Sequence, residues 1–359
     1  MLRRALAGLE PRPAVVDAAI LGLLGFEVVS GLVSLIGGTP DWAWLFAAHA
    51  IAGVTLVVLV TWKLRRVWPR LRSSAGRPDH LASSVALTIL AVCTLAAGIA
   101  WSMLDVVRIG GYTLLTVHMV LGLLVVPVLI WHLRHRFRLP TERDLEGRRT
   151  MLQFAATVGA AAVAWRLSDT IARLGGLFRA DERFTGSKDA GGSGNDYPVT
   201  MWVADDPAPI DVDEWQLSVT GHVDSPLSVS YGDLLGNEAA VGTESALLDC
   251  TSGWYAERQW TGVGLAEVAA LADPTDEATW VVVRSVTGYR WSFPLSAADD
   301  LLLATHVDGE RLSHGHGAPL RLVAPGRRGF QWVKWVESIE VRRRRDLSQW
   351  IAIFVSGFT

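Results

Sequence analysis

Cys250 stands in the run Leu247-Leu248-Asp249-Cys250-Thr251-Ser252-Gly253-Trp254 and is the only cysteine after Cys93. No second thiol is available to close an intramolecular disulfide within that part of the chain. Two readings follow from residue type: a thiolate ligand for a soft metal, or a buried cysteine acting as a small apolar side chain. A second chemical pattern lies upstream. His49-Ala50-Ile51-Ala52-Gly53 matches His118-Met119-Val120-Leu121-Gly122, 69 residues on, and the same offset carries Trp62 onto Trp131, Leu64 onto Leu133 and Arg65 onto Arg134. Internal repeats of this kind build symmetric membrane sites. Two histidines at one depth are what a six-coordinate b-type haem needs; the same pair would also serve as hydrogen-bonding groups in a bundle or as the lining of a polar cavity. Each has a glycine four residues on, on its own helical face, where a flat macrocycle could approach the backbone.

Those histidines need helices to hold them. Half of the 359 residues are hydrophobic, and the long apolar runs fall before residue 168. Segments at about 14–36, 43–62, 81–104 and 112–131 each reach the roughly 20 residues that cross a bilayer as a helix. Lys63, Arg65, Arg66, Arg70, Arg72 and Arg77 follow the second segment; Arg134, Arg136, Arg138, Arg143, Arg148 and Arg149 follow the fourth. The loop at 37–42 has no basic residue and that at 105–111 only Arg108. The positive-inside rule puts the N-terminus and both basic loops in the cytoplasm. Intramembrane Glu27 reads either as a proton acceptor for quinone chemistry or as a carboxyl bonded to a neighbouring helix. His132 and His135 belong to the basic edge: His132 lies about 21 Å along the helix from His118, and its repeat partner is Lys63, so one haem is expected and not two. Residues 14–136 resemble the four-helix b-type cytochrome modules that pass electrons between quinol and a partner.

Gly147-Arg148-Arg149-Thr150-Met151-Leu152-Gln153, followed by the small-residue apolar run Phe154 to Trp165, is similar to a twin-arginine export signal placed inside the chain. It predicts a fifth crossing helix, recognised by the twin-arginine translocase, that carries the remainder out of the cytoplasm. Residues 180–196, with the glycine-rich run at 191–196, read as a flexible linker. Beyond it, strands are predicted at 215–221, 280–284, 320–324 and 333–341, with short helices at 231–236, 264–272 and 296–301. The net charge of −3 gives no case for nucleic-acid binding.

The soluble half then resembles a known family. Asp249-Cys250-Thr251-Ser252-Gly253-Trp254 with Trp260-Thr261-Gly262-Val263, His316-Gly317-Ala318-Pro319-Leu320-Arg321-Leu322-Val323-Ala324-Pro325-Gly326, and Gly329-Phe330-Gln331-Trp332-Val333-Lys334-Trp335-Val336 are similar, in order, to the motifs of the sulfite-oxidase-fold molybdopterin oxidoreductases. The resemblance covers about 197–345. It implies Mo-molybdopterin as cofactor, Cys250 as the protein thiolate on molybdenum, and Thr251, His316, Arg321, Gly326, Gly329 and Lys334 as cofactor-binding positions. The Cys-x-x-x-Trp form, without an arginine close behind the cysteine, looks more like the bacterial reductase-type members, including methionine sulfoxide reductases, than like sulfite oxidases proper.

The expected architecture is an N-terminal all-α transmembrane bundle at 1–140 and a fifth helix at 141–180. A linker at 181–196, an α+β mixed-sheet molybdopterin domain at 197–345 and an apolar C-terminal tail at 346–359 complete it. The expected function is a multi-pass cell-membrane oxidoreductase with an extracytoplasmic C-terminal domain. It would link the quinone pool, one haem b on His49 and His118, and the Mo centre, reducing an S-oxide or N-oxide type of small molecule. The alternatives are a dehydrogenase feeding electrons to quinone, and a non-catalytic cofactor-binding module.

Overall fold

The computed structural model describes residues 11–72, 81–136, 141, 148–174, 182–201, 204–236 and 240–358. The chain divides into two compact units, Met1–Lys188 and Asp189–Thr359.

Among the described residues the first unit holds five long helices: α1 Pro13–Ser34, α2 Ala43–Arg72, α3 Leu81–Met103, α4 Leu114–Arg136 and α5 Arg148–Leu174. Among the described residues four helices, corresponding to α1 to α4, are long and apolar enough to cross a membrane. α5 is outside that set, being rich in alanine and flanked by arginine. The helices pack as the sequence repeat pairs them, α1 along α2 and α3 along α4, with α5 against α2. Val16, Ile20, Leu56 and Leu59 form one buried cluster; Ala97, Trp101 and Leu114 form another. Leu32, Ile89, Val120 and Leu123 face outward, as helices surrounded by hydrocarbon require. At the α1–α2 edge Asp17 lies 3.2 Å from both Lys63 and Arg66.

The second unit carries two sheets around a single core. Its strands are β1 Gln216–Gly221, β2 Leu227–Ser230, β3 Val241–Cys250, β4 Trp254–Gly264 and β5 Trp280–Ser285. They continue with β6 Arg290–Pro294, β7 Leu302–Val307, β8 Glu310–Arg311, β9 Arg321–Val323 and β10 Val336–Arg342. One sheet has the order β2-β1-β10-β5-β6, in which only β1 and β10 run parallel. In the other, β3 and β4 form a long antiparallel hairpin from Val241↔Val263 to Cys250↔Trp254, and β7 bridges β4 to β8 and β9. Trp260, Trp291, Phe293, Leu217 and Leu303 are fully buried between the layers. Short helices Tyr231–Gly236 (α6) and Leu265–Ala270 (α7), and the tighter turn Leu295–Asp300, fall where the sequence predicts them.

Three expectations change. The stretch near 191–196 is tied down: Asp308 accepts from the backbone N–H of Gly194 at 2.7 Å, and the Asn195 side chain donates to the Arg311 carbonyl at 2.9 Å. Its glycines sit at positive φ as turn formers. The C-terminal stretch contains a helix, α8 Gln349–Val355, with Gln349 and Ala352 buried. The β3–β4 hairpin replaces what sequence treats only as a motif-bearing segment.

Candidate functional site

Cys250 is the last residue of β3, and a tight turn reverses the chain behind it. Gly253, at φ +95°, donates its N–H to the Cys250 carbonyl at 3.1 Å, a geometry that favours glycine. The thiol is buried, 3.1 Å from the Ser252 hydroxyl. The loop after β9 clamps this strand end from the side. Arg328 pairs with Asp249 at 3.0 Å, both side chains being almost fully buried, and the two residues also form a parallel backbone bridge. Gly329 lies against the cysteine: a Cβ there would stand 3.0 Å from the Cys250 Cα. Thr251 is half-buried in the turn, beside Ser252, whose hydroxyl is 3.2 Å from that of Thr200. Trp254 donates to the same Thr200 hydroxyl at 3.1 Å.

The cations predicted from sequence are grouped here. Arg321 opens β9 in the buried core, over the rings of Trp260 and Trp332. It donates to the His316 carbonyl at 3.0 Å and to the Tyr197 hydroxyl at 3.3 Å, while its buried Nε has no partner. Burial lowers its pKa. Lys334 donates to the carbonyls of Gly315 at 2.6 Å and Thr200 at 3.0 Å. Burial, followed by repulsion from Arg321, lowers it to about 7, and negative charge at Cys250 acts the other way on both cations. Gly317, at φ +109°, lets its backbone pass against Lys334. Gly326, at φ +72°, turns the chain between β9 and the clamp.

His316 is bonded within the protein at both ring nitrogens. Its Nε2 donates to the Tyr197 carbonyl at 3.0 Å, its Nδ1 accepts from the Ser313 hydroxyl at 2.7 Å, and its ring stacks on Tyr197 at 3.9 Å. Both nitrogens are therefore committed to protein partners. Burial holds the imidazole neutral, with a pKa lowered to about 4. His316 positions Tyr197 and presents its own carbonyl to Arg321. Arg258, the first basic residue after the cysteine, is held by Asp308 at 3.5 Å and by carbonyls of Gly191 and Asp196.

Sequence reasoning missed Tyr197, Asp249 and Arg328. A signal existed for the last two: an aspartate directly before the cysteine, and the arginine pair Arg327-Arg328 between two quoted motif glycines. Tyr197 had none, since it precedes the first motif.

These residues suit an anionic cofactor that brings its own metal ligands. Among the described residues no three His, Cys, Asp or Glu side chains converge on a metal site. A metal at Cys250 therefore needs non-protein donors, as a dithiolene supplies. The Arg321 Nε, which has no hydrogen-bond partner among the described residues, and the buried Lys334 ammonium are donor types that suit an anion such as a phosphate.

In the first unit His49 and His118 come together, ring centroids 6.2 Å apart and planes at 84°. His118 Nδ1 bonds the Thr94 carbonyl at 2.8 Å, which fixes a tautomer with Nε2 as the bare nitrogen. His49 Nδ1 meets the Ser30 hydroxyl at 2.8 Å and Nε2 lies 3.0 Å from the Glu27 carboxylate on the neighbouring helix. The glycines beside the rings are not those expected. Gly31 of α1 faces His49 and Gly98 of α3 faces His118, whereas nothing stands within 4 Å of a Cβ at Gly53, and only Thr94 is near Gly122. A helical side chain leans toward the N-terminus, over the turn before its own Cα, so a glycine four residues later lies behind the ring. His132 faces Ser83 and Ser84 of α3; the His135 side chain lies outside the described residues.

Residues 204–350 match the family described as "Oxidoreductase molybdopterin binding domain". The "Uncharacterized oxidoreductase YuiH" of Bacillus subtilis is 31% identical over 158 residues, covering 43% of this chain and 78% of that protein. The "Protein-methionine-sulfoxide reductase catalytic subunit MsrP" of Gluconobacter oxydans is 27% identical over 238 residues, 58% of this chain and 74% of that protein. "Nitrate reductase [NADPH]" of Neurospora crassa is 27% identical over 199 residues, of which it is matched over only 20% of its length. The motifs around Cys250, Arg321 and Lys334 fall inside the matched region. The chain thus belongs to the molybdopterin-binding oxidoreductases and is an oxidoreductase enzyme carrying four membrane-length helices.

Proposed function

We propose that this enzyme works at a cell membrane, exchanging electrons between the quinone pool and an extracytoplasmic molybdenum centre, and that it reduces an S-oxide or N-oxide type of small molecule. The observation that carries the reading is the grouping of the Cys250 thiol with Arg321 and Lys334, two cations without a carboxylate hydrogen-bond partner. Cys250 would be the thiolate ligand, Arg321 and Lys334 the phosphate clamp, and Gly329 and Thr251 the backbone beside them. Bound there, the molybdenum–pterin group supplies oxygen-atom transfer coupled to a two-electron change. The protein's part is to exclude water, hold the thiolate, and shape the pocket with Trp254.

A weakly charged substrate is favoured over sulfite by Arg258. A dianion would need that guanidinium, and it is already bound to Asp308 and two carbonyls. The sulfoxide reductase named among the relatives is consistent with this choice. One haem b would be held by His49 and His118, whose ring centroids stand 6.2 Å apart, and would supply one-electron transfer. Glu27 must then release His49 Nε2. The segment around Arg148 and Arg149 is read as the export address and α5 as a fifth crossing.

The test is purification of the full chain in detergent, metal analysis, a reduced-minus-oxidised visible spectrum, and reductase assays with a reduced dye against S-oxides, N-oxides and, in the oxidative direction, sulfite. Molybdenum with S-oxide or N-oxide turnover is the expected result. Sulfite oxidation in their place would establish the dehydrogenase reading, and absence of all turnover in the metal-loaded protein would leave a binding module.

A further inference from the structure

Helix α8, Gln349–Val355, carries apolar residues on both its inner and its outer face. It turns Gln349 and Ala352 inward, with Ser356 just beyond it also buried. The Gln349 carbonyl oxygen accepts from the Ser292 N–H at 2.8 Å and its hydroxyl at 2.5 Å. Outward it shows Ile351, 61% exposed, and Val355, while the flanking residues Leu347 and Phe358 are 72% and 73% exposed. Trp350 lies at the margin, edge-on to Trp291 at 4.9 Å and still partly open. A surface helix normally buries its apolar residues and exposes its glutamine. This one is fastened through Gln349 together with Ala352, Ile353 and Trp350, and it still leaves a contiguous apolar face outside. Patches of this kind mark interaction sites.

The chain just before the helix supplies the charge. Arg342 to Arg345 are consecutive. Arg342 is paired with Glu340 and Asp346, and Arg343 with Glu277. Arg344 and Arg345 are exposed and, among the described residues, have no ion-pair partner; Arg345 lies over the Trp280 ring. Unpaired arginines running into an aliphatic and aromatic face make the composition of an element that lies in a bilayer interface, with charge at the headgroups and apolar side chains below them.

We propose that Arg344 to Phe358 is a membrane-surface docking element whose occupant is an anionic lipid interface. The unit is covalently continuous with helices long and apolar enough to span a membrane, so on that reading lipid is always within reach, and a weak patch suffices where a free protein would need two anchoring signals. The unpaired arginines select lipid over a neutral protein groove. Docking limits the orientations of the outer unit at the bilayer without altering the pocket around Cys250.

The experiment uses the full chain reconstituted in liposomes with and without an anionic phospholipid. A photoactivatable benzophenone amino acid replaces Ile351 or Phe358, and, as control, exposed Asp213 on the same unit. Adducts are identified by mass spectrometry. Carbonate-resistant membrane retention and wild-type molybdenum content verify that each chain has inserted and folded. Lipid adducts at 351 and 358 are expected to exceed the control and to fall about tenfold or more on combined Arg344→Glu and Arg345→Glu, since each basic residue near the surface is worth about 1 kcal/mol. The proposal is overturned by adducts to this chain or to a second copy, by lipid adducts no higher than at 213, or by adducts indifferent to both charge reversals.

Discussion

Removing Arg328 tests whether the clamp on Cys250 is structural. Its guanidinium and the Asp249 carboxylate are 3.0 Å apart with side chains 4% and 2% exposed. Taking away one member of such a pair leaves a buried charge uncompensated, at a cost of about 3–5 kcal/mol. Replacing both members with apolar residues of similar volume costs far less, because neither desolvation penalty remains. Arg328→Ala should therefore destabilise the second unit by about 3–5 kcal/mol, which lowers a urea midpoint by about 2 M at an m-value near 2 kcal/mol/M. Asp249→Leu with Arg328→Met should stay within about 1 kcal/mol of the parent. The two singles and the double form a double-mutant cycle, and the expected interaction energy is several kcal/mol. The assay is pulse proteolysis across a urea series on detergent-solubilised full chain, following the second unit by its fragments. If Arg328→Ala loses less than about 1 kcal/mol, or the double variant is as unstable as the single, the pair does not hold the strand end. Gly329 alone would then set the position of Cys250.

Cys250→Ala should abolish turnover yet keep pterin, measurable by fluorescence after extraction, because Arg321 and Lys334 remain; normal activity would remove Cys250 from the metal. His49→Ala and His118→Ala should each eliminate a b-type spectrum while dye-driven reduction at the outer unit survives. Gly98→Ala should shift that spectrum, since its Cβ would lie 2.9 Å from the His118 ring, whereas Gly122→Ala should not. In cofactor-free protein, Lys334 has a folded pKa of about 7, below the ordinary lysine value of about 10.4. The unfolded chain then binds the extra proton between those values, so stability rises with pH across that window and is unaffected by this group below about 7. Lys334→Met should flatten the rise in unfolding midpoint. Arg148→Lys with Arg149→Lys should leave the outer unit protected from protease added to spheroplasts, since the translocase reads the guanidinium pair as an address whereas a simple stop-transfer helix reads only charge.

The sequence revealed most where a local pattern has one physical solution. Alternation and a closing glycine mark β1, and the apolar runs mark α1 to α4. The long hairpin was hidden because Thr243, Glu244 and Ser245 are all exposed and break the alternation of β3. Cys250, Arg321 and Lys334 were legible as motif residues, and the structure brings them to one place. The bonding of His316 was not, since its partner Tyr197 lies 119 residues away. Nor were the glycines facing the histidines: a helix reports its own face, whereas Gly31 and Gly98 act across to the next one. The capacity of α8 to hide a glutamine became visible only with Ser292 in place.

The parallel pairing of β1 with β10 also sets a clock on biogenesis. Ser218 aligns with Ser338, and Trp215 donates to the Val336 carbonyl at 3.1 Å. The central strand of that sheet leaves the ribosome about 120 residues after its parallel partner, with Ser338 set against Ser218. Until it does, β1 and β5 have no neighbour between them, and loop closure over that span must precede any reward from pairing. The helices ahead of it need only local bonds and can be settled long before. A chain interrupted before β10 would therefore leave β1 and β5 without the strand that joins them.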